Sequence, residues 1–274
     1  MQREPEYITS RQNPLVQLVA SLAERKYRRR EGLFRFDGCK LFVEALQKQL
    51  PLTAVLLRES AAEQIRHKVA DLNLASPCRE VILSDSLFDR ISEEKSPEGV
   101  ICVSKHLDKL HKIVTIDKRE NAAELLLPGR TLLLESVRDP GNLGTVIRTA
   151  SAFGIANLVL SGDCADIYHP RTIRGAMGTL FTRRILIAED LLPVIGALSA
   201  RGTVYAAALD ETATPLGSFA FGEADSVVVG NEGHGLSKAV LAAADRKLYI
   251  PMQPGVESLN AGVAASVLLW ELYR

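Results

Sequence analysis

The chain of 274 residues is 47% hydrophobic and 24% charged, with 33 basic residues against 33 acidic ones and a formal net charge of zero. That length holds one large or two ordinary domains. Charge neutrality excludes a wholly basic nucleic-acid coat protein but leaves room for one local basic face.

No apolar stretch is long enough to span a bilayer. The opening MQREPEYITSRQNP lacks the apolar core of a secretion signal, so a cytoplasmic protein free of the membrane is expected. Cys39, Cys78, Cys102 and Cys164 lie far apart with no C-x-x-C pair. Four reduced, buried thiols are expected rather than a zinc or redox motif. The five histidines lack ligand spacing, and no metal is expected.

In chain order, NPLVQLVASLAERKYRRR places Leu15, Leu18, Val19 and Leu22 on one helical face. It ends in a basic run of Arg25, Lys26, Arg28, Arg29 and Arg30, interrupted by Tyr27. GLFRFDG alternates as a strand and CKLFVEALQKQ returns to helical spacing, while LTAVLLRES, EVILSDSLF and EGVICVSK read as further strands. These make a small α/β domain over residues 1–110, followed by a charged, poorly patterned linker at 111–127. From 128 to 274, short apolar runs at 130–136, 157–162, 183–188, 203–209, 226–230 and 247–251 are separated in several places by helical segments. Continuous apolar runs mark strands covered on both faces of a largely parallel sheet, so this second domain reads as an open α/β layer.

Three loops of the second domain follow strands. ESVRDPGNLGTVIRTASAFG passes through a Pro-Gly turn into a helix that Asn142 can cap, with Gly144 and Arg148 four apart on one face. Leu143, Ile147 and Ala150 point the other way, toward the sheet. VVVGNEGHGLSK puts Gly230, Gly233 and Gly235 directly after a β-branched run, which lets backbone approach a ligand closely. It fails both phosphate rules: Leu236 follows Gly235 where a Walker loop needs Lys, and the glycines read G-x-x-G-x-G rather than G-x-G-x-x-G. IPMQPGVESLNAGVAASVLLWELYR turns at Pro254-Gly255 and enters the last helix through Ser258 and Asn260. Taken singly, each loop could be a tight turn or a helix cap and nothing more.

Together, in order and spacing, the three loops resemble the motifs of the SpoU (TrmH-type) RNA 2′-O-ribose methyltransferases of the SPOUT superfamily. The first is N-x-G-x-x-x-R-T-A-x-A-F-G at 142–154, the second G-x-E-G-x-G-L-S at 230–237, the third I-P-M…E-S-L-N at 250–260. DIYHPRTIRGAMGTLF (166–181) resembles the family's connecting segment with its Pro-x-x-x-Arg pattern, and ITSRQNPLVQLVASLAERKYRRREGLFRFDG resembles its amino-terminal substrate-binding domain, itself similar to small ribosomal proteins. Ala176 and Gly262 depart from positions often held by Ser.

The resemblance implies a mostly parallel sheet with a carboxy-terminal trefoil knot, against the general rule that chains do not thread loops. It implies S-adenosyl-L-methionine as cofactor, with Gly230, Ile250 and Leu259 at cofactor-contact positions and Leu209, Met252 and Gly235 as further candidates. It places Arg148, Asn142, Glu232, Ser258 and Asn260 in the catalytic set, with Arg148 the essential member. Because a guanidinium hardly ever releases a proton, anchoring an RNA phosphate and stabilising developing alkoxide charge suit Arg148 better than general-base work. Arg25, Lys26, Arg28, Arg29, Arg30 and Arg174 are the candidate RNA contacts. The expected reaction is methylation of a ribose 2′-hydroxyl in structured RNA by a homodimer joined through the second domain. A full amino-terminal domain favours 23S ribosomal RNA. The alternatives are transfer RNA, or a non-catalytic RNA-binding or ribosome-assembly protein on the same scaffold.

Overall fold

A computed structural model describes residues 5–72, 74, 78–110, 112–116, 119–256 and 258–274. The chain divides into two compact units, Met1–Lys109 with Tyr168–Thr182, and Leu110–Ile167 with Arg183–Arg274. In chain order the first unit runs β1 (Glu6–Ile8), α1 (Pro14–Ser21), α2 (Arg25–Glu31), β2 (Leu33–Asp37), α3 (Cys39–Gln47), β3 (Leu52–Arg58), α4 (Ala62–Asp71), β4 (Arg79–Leu83), α5 (Asp85–Ile91) and β5 (Val100–Lys105). The second follows with β6 (Ile113–Ile116), α6 (Arg119–Leu125), β7 (Thr131–Leu134), α7 (Pro140–Ala152) and β8 (Asn157–Ser161). The chain then supplies α8 (Pro170–Ala176) to the first unit. It resumes the second as β9 (Ile185–Ala188), α9 (Leu192–Ser199), β10 (Val204–Ala207), β11 (Thr214–Pro215), β12 (Ser226–Val229), α10 (Lys238–Ala243), β13 (Arg246–Tyr249) and α11 (Ala261–Tyr273).

The first unit is a five-stranded sheet of order β1-β4-β3-β5-β2, parallel through β3 and antiparallel at β5 and β2. One face packs Val16, Val19 and Leu22 with Leu87, Phe88 and Ile91 against the strands. The basic helix predicted as a continuation of the first is a separate element. Asn13 caps α1 by accepting from the Leu15 amide at 2.9 Å, and the chain breaks after Leu22. The guanidinium of Arg28 folds back on the exposed end of α1, donating to the carbonyls of Leu22 and Ala23 at 2.8 and 2.6 Å. Leu22 is the C-cap of α1 and Ala23 the residue after it, so the guanidinium ties down the chain just past the helix end.

Two domain boundaries differ from expectation. Residues 168–182, read as part of the second domain, pack within the first unit: Tyr168 stacks on Phe34 at 4.9 Å, Phe181 sits 5.1 Å from Phe36, and Lys48 Nζ donates to the Gly178 carbonyl at 2.6 Å. Sequence spacing cannot show where such a short helical excursion docks. The segment read as a linker carries β6 and α6, and β6 pairs in parallel with β9 from Ile113↔Ile185 to Ile116↔Ala188. As an edge strand with one neighbour, β6 buries only Ile116 fully, which is why its pattern is faint.

The second unit is an eight-stranded, wholly parallel sheet of order β11-β13-β10-β12-β7-β8-β9-β6. Its central strands β7, β8 and β12 are buried throughout, as their unbroken apolar runs require. Because β12 lies between β10 and β7 while β13 lies on the far side of β10, the β12–α10–β13 connection passes across β10. The loops leaving the carboxyl ends of β10, β12 and β13 therefore converge at one edge. Among the described residues no helix is long and apolar enough to cross a membrane. Cys39, Cys102 and Cys164 are buried, and burial pushes the thiols of Cys102 and Cys164 up; Cys78, expected inside, is only half-buried.

Candidate active site

The loop after β12 is a closed hairpin. Asn231 and Gly235 exchange both backbone hydrogen bonds, at 3.1 and 3.0 Å. The Asn231 carboxamide oxygen accepts from the Gly233 and His234 amides at 2.8 and 3.2 Å. Its nitrogen donates to the Ser136 carbonyl at 2.8 Å, tying this loop to the one after β7. A Cβ at position 230 would lie 2.4 Å from the Gly235 carbonyl carbon and 2.6 Å from the Leu236 nitrogen, so Gly230 is required by the loop's own backbone. Gly235 turns the chain with φ +66.

One face of this hairpin walls a cavity of about 400 Å³, within the range of small-molecule sites. Its floor is apolar, with Val229, Leu236, Leu248 and Leu268 among the lining residues, and Glu232, His234 and Ser258 add polar groups. All six cofactor candidates (Gly230, Ile250, Leu259, Leu209, Met252 and Gly235) line it. A flat organic ligand would meet backbone and hydrocarbon there, with one carboxylate to answer a positive centre. Among the described residues no group of three or more His, Cys, Asp or Glu could hold a metal ion.

The first and second motifs meet through Asn142, whose Nδ2 donates to Glu232 Oε1 at 2.8 Å. Asn142 does not cap its helix, as the sequence suggested. Asp139 does, accepting from the Asn142 amide at 2.8 Å ahead of Pro140. The Asp-Pro pair was the overlooked signal, since proline favours the first helical position. Capping by Asp139 frees the Asn142 side chain for Glu232. Asn260 caps α11, accepting from Gly262 and Val263 at 3.0 and 3.2 Å. A Cβ at Gly262 would come within 3.3 Å of Asn142 Oδ1 and 3.2 Å of Asn260 Oδ1, so the small residue lets motif one and motif three sit side by side.

Glu232 and Ser258 thus line the cavity, while Asn142 and Asn260 stand just behind it. Arg148 is apart from them: it is exposed on α7, does not line the cavity, and makes no hydrogen bond or ion pair among the described residues. Leu143, Ile147 and Ala150 are buried beneath it, as their spacing predicted.

Of the RNA candidates, Arg25, Lys26, Arg29 and Arg30 are exposed, but Arg28 is only 1% accessible. It is removed from the RNA-facing set because it is buried, with Nη1 held by the carbonyls just past α1. Tyr27 lies beneath Lys26 and Arg30, whose cations are 4.7 and 4.8 Å from the ring centre, so it is occupied by its own neighbours. Arg174 is exposed, with Glu94 3.5 Å away. Partial burial raises the Glu94 carboxyl above its usual range despite that arginine.

Sequence reasoning missed a network behind the loop after β7. Ser136 has φ +57, costly for a residue with a Cβ. It is held there by its amide on Ser161 Oγ at 2.8 Å and by its hydroxyl on Asp163 Oδ2 at 2.6 Å. Ser161 and Arg138 also donate to Asp163, at 2.6 and 3.2 Å. Partial burial raises the Asp163 carboxyl, but these three donors outweigh it and bring it below the usual value. No local pattern could reveal this, because Asp163 arrives from the loop after another strand.

The model of the SpoU rRNA Methylase family matches residues 129–270, and that of the MRM3-like substrate binding domain matches residues 13–102. The chain belongs to the SpoU rRNA methylase family. The 23S rRNA (guanosine(2553)-2′-O)-methyltransferase RlmP of Bacillus subtilis is 32% identical over 97% of this chain and 98% of its own length. The 23S rRNA (uridine(2479)-2′-O)-methyltransferase of Streptomyces viridochromogenes is 29% identical over 97% of this chain and 91% of its own. The AdoMet-bound rRNA methyltransferase of Sinorhizobium meliloti superposes with a TM-score of 0.78 at 25% identity, covering 97% of both chains. The fold expected from the SpoU motifs, a mostly parallel α/β sheet with an amino-terminal α/β domain, is the fold of this family.

Proposed function

We propose that this SpoU methylase transfers a methyl group from S-adenosyl-L-methionine to a ribose 2′-hydroxyl of 23S ribosomal RNA. The single observation that carries the reading is the cavity of about 400 Å³ onto which the loops of motifs two and three converge, with motif one joined to it by the Asn142–Glu232 bond. Its apolar floor suits an adenine ring and Glu232 answers a sulfonium. When bound, the cofactor supplies a methyl carbon already electrophilic, so the protein's work is orientation and charge. Gly230, Ile250 and Leu259 bound the space, and Asn142 orients Glu232. Arg148 carries a planar fork of donors for an RNA phosphate or a developing alkoxide. The exposed Arg25, Lys26, Arg29 and Arg30, within the substrate-binding domain, give RNA a basic approach, and Arg174 adds to it.

The working unit in this reading is a homodimer formed through the second unit. Arg148 does not line the cavity of its own chain, and α11 leaves Val263, Trp270 and Tyr273 about half exposed. Phe153, the C-cap of α7, extends that patch, its ring 5.6 Å from Trp270 and 5.3 Å from Tyr273. A second copy seated there covers the aromatic patch and brings its Arg148 toward this chain's cavity. In this reading the protein works in the cytoplasm.

The test is methyl transfer from labelled cofactor to ribosomal RNA of a deletion strain, with the product mapped for 2′-O-methyl ribose. One restored position in 23S RNA is expected. Active transfer to transfer RNA alone, or cofactor binding with no transfer to any RNA, would overturn the reading.

A further inference from the structure

The hairpin after β12 also lines another hollow. A cavity of about 170 Å³ shares Asn231, His234, Gly235 and Leu236 with the cofactor cavity, and Glu135, Ser136 and Arg138 of the loop after β7 complete its lining with Ser237. It lies on the neighbouring strand of the same parallel sheet, since β12 pairs directly with β7, and it opens at the carboxyl ends of the strands. Ligands of such sheets collect at that edge. The hollow is too small for a nucleoside and has a polar wall, which suits a single phosphate or sugar group.

Arg138 is the group that would receive it. Its side chain is 68% exposed, yet one of its amino groups is fixed by Asp163 Oδ2 at 3.2 Å. Asp163 in turn is fixed by the hydroxyls of Ser136 and Ser161, both at 2.6 Å. An ordinary surface ion pair has no such backing. Here the backbone at Ser136 is held at φ +57 to keep the loop in place, and strain of that kind survives only where surrounding bonds over-determine it. A guanidinium has five donor hydrogens and Asp163 engages one amino group, so the rest of the fork remains available. Asp163 stands outside the lining, and the carboxylate that does line the hollow, Glu135, accepts from the Ser237 amide at 2.8 Å.

We infer that Arg138, oriented by Asp163 and the strained Ser136 turn, binds a backbone phosphate of the RNA next to the target ribose. It would thereby position the substrate strand against the cofactor cavity. The inference rests on the methyltransferase reading above, and Arg138 is a positioning residue distinct from Arg148.

The test is steady-state methyl transfer by Arg138→Ala and Asp163→Asn beside the wild-type protein, with cofactor affinity and RNA affinity measured at several salt concentrations. Arg138→Ala is expected to raise KM for RNA about tenfold at nearly unchanged kcat, and to reduce the salt slope of RNA binding by about one. Cofactor Kd stays at the wild-type value, and Asp163→Asn gives the same pattern more weakly because the fork is kept but released. Unchanged KM and salt slope in Arg138→Ala would overturn the inference, and so would a parallel loss of cofactor affinity, which would put the residue on the cofactor side. A wild-type protein that methylates no RNA would instead refute the methyltransferase reading itself.

Discussion

Replacing Gly230 by alanine adds one carbon where the backbone leaves no room for it. The new Cβ would stand 2.4 Å from the Gly235 carbonyl carbon, 2.5 Å from its oxygen and 2.6 Å from the Leu236 nitrogen. None of these is the movable end of a side chain, so the hairpin must open. Opening it breaks the two Asn231–Gly235 hydrogen bonds, each worth ~1 kcal/mol net. A rigid backbone clash of about 4 kcal/mol, at the high end of single-substitution costs, exceeds the ~2 kcal/mol those bonds return. The closed loop is therefore disfavoured by about 2 kcal/mol and its population falls about 30-fold. If only the closed loop completes the cavity wall, the apparent cofactor Kd rises by the same factor, about 30-fold. Calorimetric titration with S-adenosylmethionine reads this directly, and the unfolding midpoint should fall by less than about 8 °C because the damage is local. Gly233→Ala is the matched control. Its Cβ would meet only Asn231 Oδ1, at an ordinary 3.5 Å, and its affinity should stay near wild type. Equal affinities for Gly230→Ala and Gly233→Ala would refute the argument that loop closure forms the binding wall.

Arg148→Ala should lower methyl transfer by at least about 100-fold while leaving cofactor affinity intact, since the residue is exposed and outside the cavity. Arg148→Ala subunits mixed with Ile250→Arg subunits, which fill and charge the cavity, should recover roughly a quarter of the wild-type rate if each site draws on two chains. Absence of recovery, with a monomer on sedimentation, would defeat the shared site. Charge reversal at Arg25, Arg29 and Arg30 should weaken RNA binding across sequences and flatten its salt dependence, whereas solvated side chains would change neither. Arg28→Met should cost about 3 kcal/mol in denaturant unfolding, because two charged hydrogen bonds to the Leu22 and Ala23 carbonyls just past α1 are lost. A loss under ~0.5 kcal/mol would mean the buried guanidinium contributes little beyond its packing.

The parts of this molecule written locally could be read from the sequence. The runs at 131–134, 157–161 and 226–229 are apolar because both faces of those strands are covered. The glycines of the second motif announced a close approach, although the approach at Gly230 is made by the loop's own backbone. What was hidden depends on partners distant in the chain. The basic run looks uniform in sequence, yet only the position facing α1 turns Arg28 inward. β6 is legible only once β9 is known to lie beside it. Arg138 is one more arginine in a turn until Asp163, 25 residues later, takes hold of it.

The split composition of the first unit sets a timetable for protein synthesis. Phe34 and Phe36 are finished early by the ribosome, but the rings that cover them, Tyr168 and Phe181, come from a segment made well over a hundred residues later. At translation speeds of roughly 5–20 residues per second, that aromatic face waits many seconds for its cover. During that interval β6, β7 and β8 of the second sheet emerge while the first remains open on one side. The nascent chain therefore carries two incomplete hydrophobic surfaces at once, and the amino-terminal domain cut at its apparent boundary would keep one of them permanently.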